Sequence, residues 1–187
     1  MAALEKLYNR MEKPRQIIRR IAFRAQGGSC NVNCIIGPGV IVKPGIFEGK
    51  RGLVSIGANT ELSGYVVLDA FGGFIDIDES VFIGPQVVVY GHGGVKIGKN
   101  TMIAMQTSIV AAEHEVPGVG MLIRSQPDIR QPVSIGSDVW IGSGCRILAG
   151  VNIGDGCVVG SGAVVTKSLP ANSIAFGVPA KVVKYRQ

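Results

Sequence analysis

Long apolar runs, histidine and patterned cysteine are all scarce in this sequence, and each scarcity removes a class of protein. No stretch approaches the roughly 20 consecutive apolar residues that a bilayer-spanning helix needs. The N-terminal residues show neither a short apolar core nor an A-x-A cleavage site, so a secretory signal is not expected. There are four cysteines; Cys30 and Cys34 form a lone C-x-x-x-C, without the spacing of a secreted scaffold. They read as reduced thiols of a cytoplasmic protein rather than as disulfides or a zinc pair. Only two histidines are present, too few for a three-histidine metal site. No carboxylate cluster suggests another metal, so none is expected. Also missing are a phosphate-binding P-loop, a G-x-G-x-x-G between strand and helix, and a Ser-x-x-Lys.

Acidic residues are in deficit, giving a net charge of +6, but the excess is local. Residues 1–24 hold Lys6, Arg10, Lys13, Arg15, Arg19, Arg20 and Arg24 against Glu5 and Glu12. The remainder is nearly neutral. The basic character therefore belongs to one arm, and no nucleic-acid partner is expected from it.

What the chain has in abundance is glycine, at 27 residues, alongside an apolar share of 47%. Glycine at about twice its ordinary share of roughly 7%, with high hydrophobicity, suggests many tight corners between short buried strands. The spacing agrees. Ile135, Ile141, Ile147, Ile153, Val159 and Val165 recur every sixth position. The same ladder appears at Ile97, Ile103, Ile109; at Ile77, Ile83, Val89; at Ile56, Leu62, Leu68; and at Ile35, Ile41, Phe47. A period of six suits neither an α-helix nor an amphipathic strand. It suits a three-sided coil of 18 residues whose aliphatic residues point to the axis, stacked as parallel strands about 4.8 Å apart. An ordinary β-sandwich would instead need alternation and hairpin turns at spacings of roughly 8–12 residues.

Two segments break the ladder. Residues 113–133, with Pro117, Pro127 and Pro132, carry no hexad and must loop out between Ile109 and Ile135; loops this long are usually functional. Residues 1–34 form the second. Leu4, Leu7, Tyr8 and Met11 have helical spacing, and a separate short helix carrying Ile17, Ile18, Ile21 and Ala22 is expected after Pro14. This arm is expected to cap the open end of the stack, where strand edges would otherwise lie unpaired. Residues 35–184 form the coil domain, and Ala180 to Arg186 should add a last strand or helix.

The element Ile135-Gly136-x-x-x-Trp140-Ile141-Gly142, the run Val164-Val165-Thr166-Lys167 and the run Gly177-Val178-Pro179-Ala180-Lys181 resemble the hexapeptide-repeat acetyltransferases. The nearest subgroup is the sugar O-acetyltransferases of maltose, galactoside, nodulation and surface-polysaccharide type. The resemblance covers residues 35–184. It implies an all-β, left-handed parallel β-helix of about six coils, a homotrimer, and an active site in each cleft between neighbouring prisms. It implies acetyl-CoA as cosubstrate and a catalytic histidine at the start of the protruding loop, which here is His114. A backbone N–H near Ser143 would stabilise the oxyanion. Acetyl-CoA would run along Gly142, Ser143, Gly160 and Ser161, with Trp140 sheltering the pantetheine and Thr166, Lys167, Lys181 and Lys184 meeting its phosphates.

Histidine suits acetyl transfer, because neutral imidazole at near-neutral pH can take the acceptor's proton. Glu113 and Glu115 flank His114 but point apart in an extended segment, so a backbone carbonyl is expected to fix its tautomer. His92 and Tyr90, in a corner one coil earlier, are expected to bind the acceptor. In the galactoside enzymes an acidic residue stands at the position of His92, and an asparagine at that of Gly84; both departures bear on the acceptor rather than the reaction. An N-acetyltransferase of an amino sugar, nucleotide sugar or other small amine is the alternative. A non-catalytic scaffold is disfavoured by His114, the loop and the CoA track. The basic arm, residues 1–24, would suit peripheral contact with the inner membrane face.

Overall fold

The computed structural model describes residues 2–187, and side chains from Glu12 onward. It is a left-handed β-helix with three parallel faces. Face A stacks Gly28–Cys30, Leu53–Ile56, Phe74–Ile77, Val95–Ile97, Val133–Ile135 and Asn152–Ile153. Face B stacks Ile35–Ile36, Glu61–Leu62, Phe82–Ile83, Met102–Ile103, Trp140–Ile141, Val158–Val159 and Ser173–Gly177, and Ala180–Tyr185 closes it as an antiparallel strand. Face C stacks Ile41–Lys43, Val67–Asp69, Val88–Tyr90, Ser108–Val110, Arg146–Ile147 and Val164–Val165. Six full coils result. Their inward residues, such as Leu62, Ile83, Ile103, Ile141 and Ile147, are fully buried. Each such side chain contributes about 1.5–3 kcal/mol over its exposed state.

The first coil corrects the expected phase. Cys30, Ile36 and Val42 point inward, while Ile35 and Ile41 are exposed at 47% and 43%. Phe47 leaves the coil altogether, in a two-stranded hairpin of Ile46–Phe47 and Lys50–Arg51. The coil also starts at Gly28, paired with Val54, within the segment assigned to the arm.

The corner from face B to face C is uniform. Three residues after each inward position the backbone turns left-handed, at Gly39, Tyr65, Gln86, Gln106, Gly144 and Gly162. The residue before it offers its carbonyl to the next coil, as in Gln106 N–H to Pro85 O, Gly144 N–H to Met105 O and Gly162 N–H to Ser143 O. That preceding position is Pro38, Gly64, Pro85, Met105, Ser143 and Ser161 in turn. Proline fits twice because the coil makes no use of the N–H there.

The corner from face C to face A is different, because every insertion falls on it. The inward residues opening each coil on face A are Cys30, Ile56, Ile77, Ile97, Ile135 and Ile153. Only the last step is 18 residues; the others exceed it by 8, 3, 2 and 20. The surplus forms the 46–51 hairpin, the turn at Phe71, the turn at Gly93-Gly94 and the long excursion before Val133. That excursion is not irregular. Ala112–His114 pairs antiparallel with Asp128–Arg130, and a single 3₁₀ turn at Ile123–Ser125 lies near its tip. One edge of the prism thus carries all the irregular chain.

The arm is one helix, Ala2–Ala25, continuous through Pro14, where a break was expected. Its packing onto the first coil explains how its second half is held. Phe23 is buried against Gly28. Gln16 and Gln26 accept the edge N–H groups of Ile36 and Val42, and Arg20 and Arg24 donate to the carbonyls of Cys34 and Cys30. Side chains thus satisfy backbone groups that an end coil leaves open. Ile17, Ile18 and Ile21, the expected packing face, are instead exposed at 54–66%. All four cysteines are free and buried. Among the described residues no helix is long and apolar enough to cross a membrane.

Candidate active site

The hairpin rooted on the irregular edge decides the geometry of His114. Antiparallel pairing sets His114 directly opposite Asp128. Side chains opposed in this way lie on one face of the ribbon and meet. His114 Nδ1 is 3.0 Å from Asp128 Oδ1. A carboxylate can only accept, so its closeness favours the tautomer with the proton on Nδ1, which leaves the lone pair on Nε2. The imidazole is 65% exposed, and Asp128 23%. The partner of His114 is thus a carboxylate across the hairpin, not the backbone carbonyl expected.

The pair opens on a cavity of about 450 Å³ lined by Phe71, Tyr90, Val110, Ala112, Glu113, His114 and Asp128. Phe71 lies at φ 43°, an uncommon conformation for an aromatic residue. Its N–H donates to Asp69 Oδ1 at 3.2 Å, a turn-stabilising bond of the Asx kind. Its ring leans on Tyr90, with centroids 5.9 Å apart. Burial raises the Tyr90 phenol above its ordinary pKa, and the charges of Asp128 and Asp69 add to the rise. The phenol therefore stays a neutral donor.

His92 is not on the cavity wall. It is 3% exposed, behind Asp128 and edge-on to Phe47 and Phe71. The expectation that it binds acceptor gives way to this placement.

The expected acetyl-CoA residues lie elsewhere on the prism, and the structure does not bring them to the His114 cavity. Gly142, Ser143, Gly160 and Ser161 sit on the B–C corner. The two glycines spend their N–H groups on Val159 O and Ala175 O, and their carbonyls accept from Thr107 and from Cys145. They are glycine for stacking: a Cβ on Gly142 would lie 2.6 Å from Ser161 N, and one on Gly160 2.8 Å from Phe176 Cβ. The serines differ. Among the described residues neither Ser143 N–H nor Ser161 N–H donates within the chain. Trp140 is half exposed on face B, in line with Met102 and Val158. Thr166 and Lys167 follow the last face C strand, and Lys181 and Lys184 lie on the closing strand opposite Phe176 and Ile174.

Asp128 and Phe71 escaped the sequence reading. Both sit in insertions with no hexad to set their phase. The available signal was that the loop could fold as a hairpin, placing Asp128 across from the histidine.

A three-sided parallel β-helix wound from six-residue repeats defines the class of hexapeptide-repeat transferases. Comparison with known proteins agrees on the fold and the repeat. Residues 132–167 match the bacterial transferase hexapeptide (six repeats) model. WbbJ of Escherichia coli, assigned as a lipopolysaccharide biosynthesis O-acetyl transferase, is 35% identical over 154 residues, covering 77% of this chain and 78% of WbbJ. A Mycobacterium tuberculosis protein assigned as an acetyltransferase is 34% identical over 161 residues, 80% of this chain. The chain spans only about half of that relative, 53%. The polySia-specific acetyltransferase NeuO superposes with a TM-score of 0.62 at 25% identity, covering 84% of this chain and 74% of NeuO. AntD, an N-acyltransferase from Bacillus cereus solved with dTDP-4-amino-4,6-dideoxyglucose and coenzyme A, gives 0.64 at 25%, covering 84% and 80%. The chain belongs to the hexapeptide-repeat acetyltransferase family.

Proposed function

We propose that this chain is an acetyl-CoA-dependent O-acetyltransferase of a sugar or surface-polysaccharide intermediate, with His114 as general base in a direct transfer. The observation that carries the reading is the 3.0 Å contact of His114 Nδ1 with Asp128, which leaves Nε2 facing outward at a cavity. Nε2 takes the proton of the acceptor hydroxyl as its oxygen attacks the thioester carbonyl. The tetrahedral oxyanion takes a hydrogen bond from the Ser143 N–H, a contribution typically near 3 kcal/mol. Collapse expels the CoA thiolate, which recovers the proton from His114. No step needs a metal.

His114 leaves the C–A edge while Ser143 sits at the B–C edge, so one prism supplies half of each site. A homotrimer supplies the rest: the base from one protomer and the Ser143 and Ser161 N–H groups, Trp140, Thr166, Lys167, Lys181 and Lys184 from its neighbour. The outward residues favour this assembly. On face A they are polar at Ser55, Asp76, Lys96, Ser134 and Asn152, with Leu53 an exposed apolar exception, whereas faces B and C expose Phe82, Met102, Trp140 and Val88.

The cavity joins aromatic and aliphatic wall to two carboxylates, Glu113 and Asp128. This suits a neutral polyol, stacked on Phe71 and hydrogen-bonded by Tyr90 and Glu113. The likeness to AntD favours a second reading, acyl transfer to the amine of an amino sugar nucleotide. The same base serves either. CoA release measured against matched hydroxyl and amine acceptors separates them. His114→Ala tests both: a loss of at least about 10²-fold in kcat, with KM for acetyl-CoA unchanged, is expected, and undiminished transfer would remove the reading. A cytoplasmic location, with Ile17, Ile18, Ile21 and the basic arm against the inner membrane face, fits work on lipid-linked glycans.

A further inference from the structure

His92 has no role in the mechanism so far, yet it is the one described side chain holding a buried polar atom without a hydrogen-bond partner, its Nε2. Its surroundings limit what that atom can be. Nδ1 lies 2.9 Å from the carbonyl of Phe71, which can only accept, so Nδ1 bears a proton. Nε2 lies 3.4 Å from Asp128 Oδ2. If His92 were neutral, a lone pair would face a carboxylate oxygen inside an aromatic enclosure of Phe47, Phe71 and Tyr90. A buried acceptor turned on a carboxylate oxygen is costly. One proton between them removes the conflict. With that proton on Nε2 both ring nitrogens become donors, one to the Phe71 carbonyl and one toward Asp128.

We infer that His92 is a positioning residue held as an imidazolium, which grips Asp128 from behind and moderates the negative charge that Asp128 presents to His114. This rests on the reading of His114 as the base. The row runs His92 Nε2, Asp128 Oδ2, Asp128 Oδ1, His114 Nδ1, with one end buried and the other at the cavity. The other charged groups around it come from three elements. Asp69, on the neighbouring face C strand opposite Tyr90, is engaged by Phe71 N–H and, at 3.9 Å, by Lys43. Tyr90 is held neutral. Arg130 lies 4.7 Å over the Phe47 ring and 4.0 Å from Glu48. Asp128 is the carboxylate in contact with the His92 ring. The Phe71 carbonyl on Nδ1 also ties the row to the aromatic wall of the acceptor cavity.

Two readouts test this. Asparagine at 92 can still donate to Phe71 but cannot reach Asp128. In His92→Asn the bare Asp128 charge favours protonated His114, so the acid limb of the kcat/KM profile should move up by about one pH unit. The kcat should fall about tenfold, with KM for acetyl-CoA unchanged. His92→Gln, which can donate toward Asp128 but carries no charge, should recover part of kcat but not the limb position. A limb unmoved in both variants, or moved to lower pH, overturns the inference. The second readout needs neither activity nor a variant at 92. With only two histidines in the chain, nitrogen NMR of ¹⁵N-histidine-labelled wild-type protein, assigned with His114→Ala, reports both rings. Both His92 nitrogens protonated at neutral pH is the expected result; an unprotonated Nε2 overturns it. If instead His114→Ala keeps its activity, the reading of the base fails while the spectrum still decides the state of His92.

Discussion

Replacing Asp128 by asparagine isolates the contribution of the carboxylate charge. The amide keeps the shape, can still accept from His114 Nδ1, and leaves the antiparallel pairing of 112–114 with 128–130 intact. What it removes is the negative charge 3.0 Å from the ring that becomes cationic in the transition state. The His114 ring is 65% exposed, so solvent screening limits the contribution of the ion pair to about 1 kcal/mol. That is roughly a fivefold loss in kcat. KM for acetyl-CoA should hold, because the pair does not touch the expected CoA residues. The sign of the pH effect follows from charge. Without the carboxylate the imidazolium is less favoured, so the acid limb should move to lower pH, opposite to the shift expected of His92→Asn. Steady-state rates of CoA release across pH 5–9 supply the measurement. A kcat within twofold of wild type, or a loss confined to KM, would refute the orienting role of Asp128.

The corner geometry gives a second set. Ser143→Pro deletes the N–H proposed for the oxyanion at a position where Pro38 and Pro85 already sit in equivalent turns. The fold and melting temperature should be retained while kcat falls about 10²-fold; equal activity would show the N–H to be unused. Gly142→Ala should do the reverse, driving a Cβ to 2.6 Å from Ser161 N and costing about 1–3 kcal/mol in stability, read as a lowered melting temperature. Replacing Ile17, Ile18 and Ile21 with serine should abolish cosedimentation with anionic vesicles; failure of the intact protein to sediment would remove the membrane role of the arm.

From Ile56 onward the hexads gave the winding and the inward residues directly, because only one phase places aliphatic side chains at every sixth position. The first coil misled for a local reason. Ile35-Ile36 and Ile41-Val42 are adjacent apolar pairs, so hydrophobicity alone admits two phases, and a slip of one residue turns the whole set outward. The turn residues resolve it: Gly39 and Gly45, both left-handed, stand three positions after Ile36 and Val42. His114 and Tyr90 were legible as neighbours of a common cavity. Asp128 was not, since its position depends on how a 20-residue excursion pairs with itself. Nor was the burial of His92, which arises from aromatic residues in two other insertions. Gly142 and Gly160 looked like ligand contacts in sequence, but their N–H groups are consumed by the ladder.

Because the proposed base His114 and its carboxylate partner Asp128 occupy facing rungs of the same ribbon, what lies beyond them can change without separating them. Residues 115–127 form a detachable tip: its length, its exposed Val116, Val119, Met121 and Leu122, and the surface it presents can be rebuilt while His114 and Asp128 stay in register. A single prism of this kind can therefore be retargeted to new acceptors by exchanging a dozen residues at its rim.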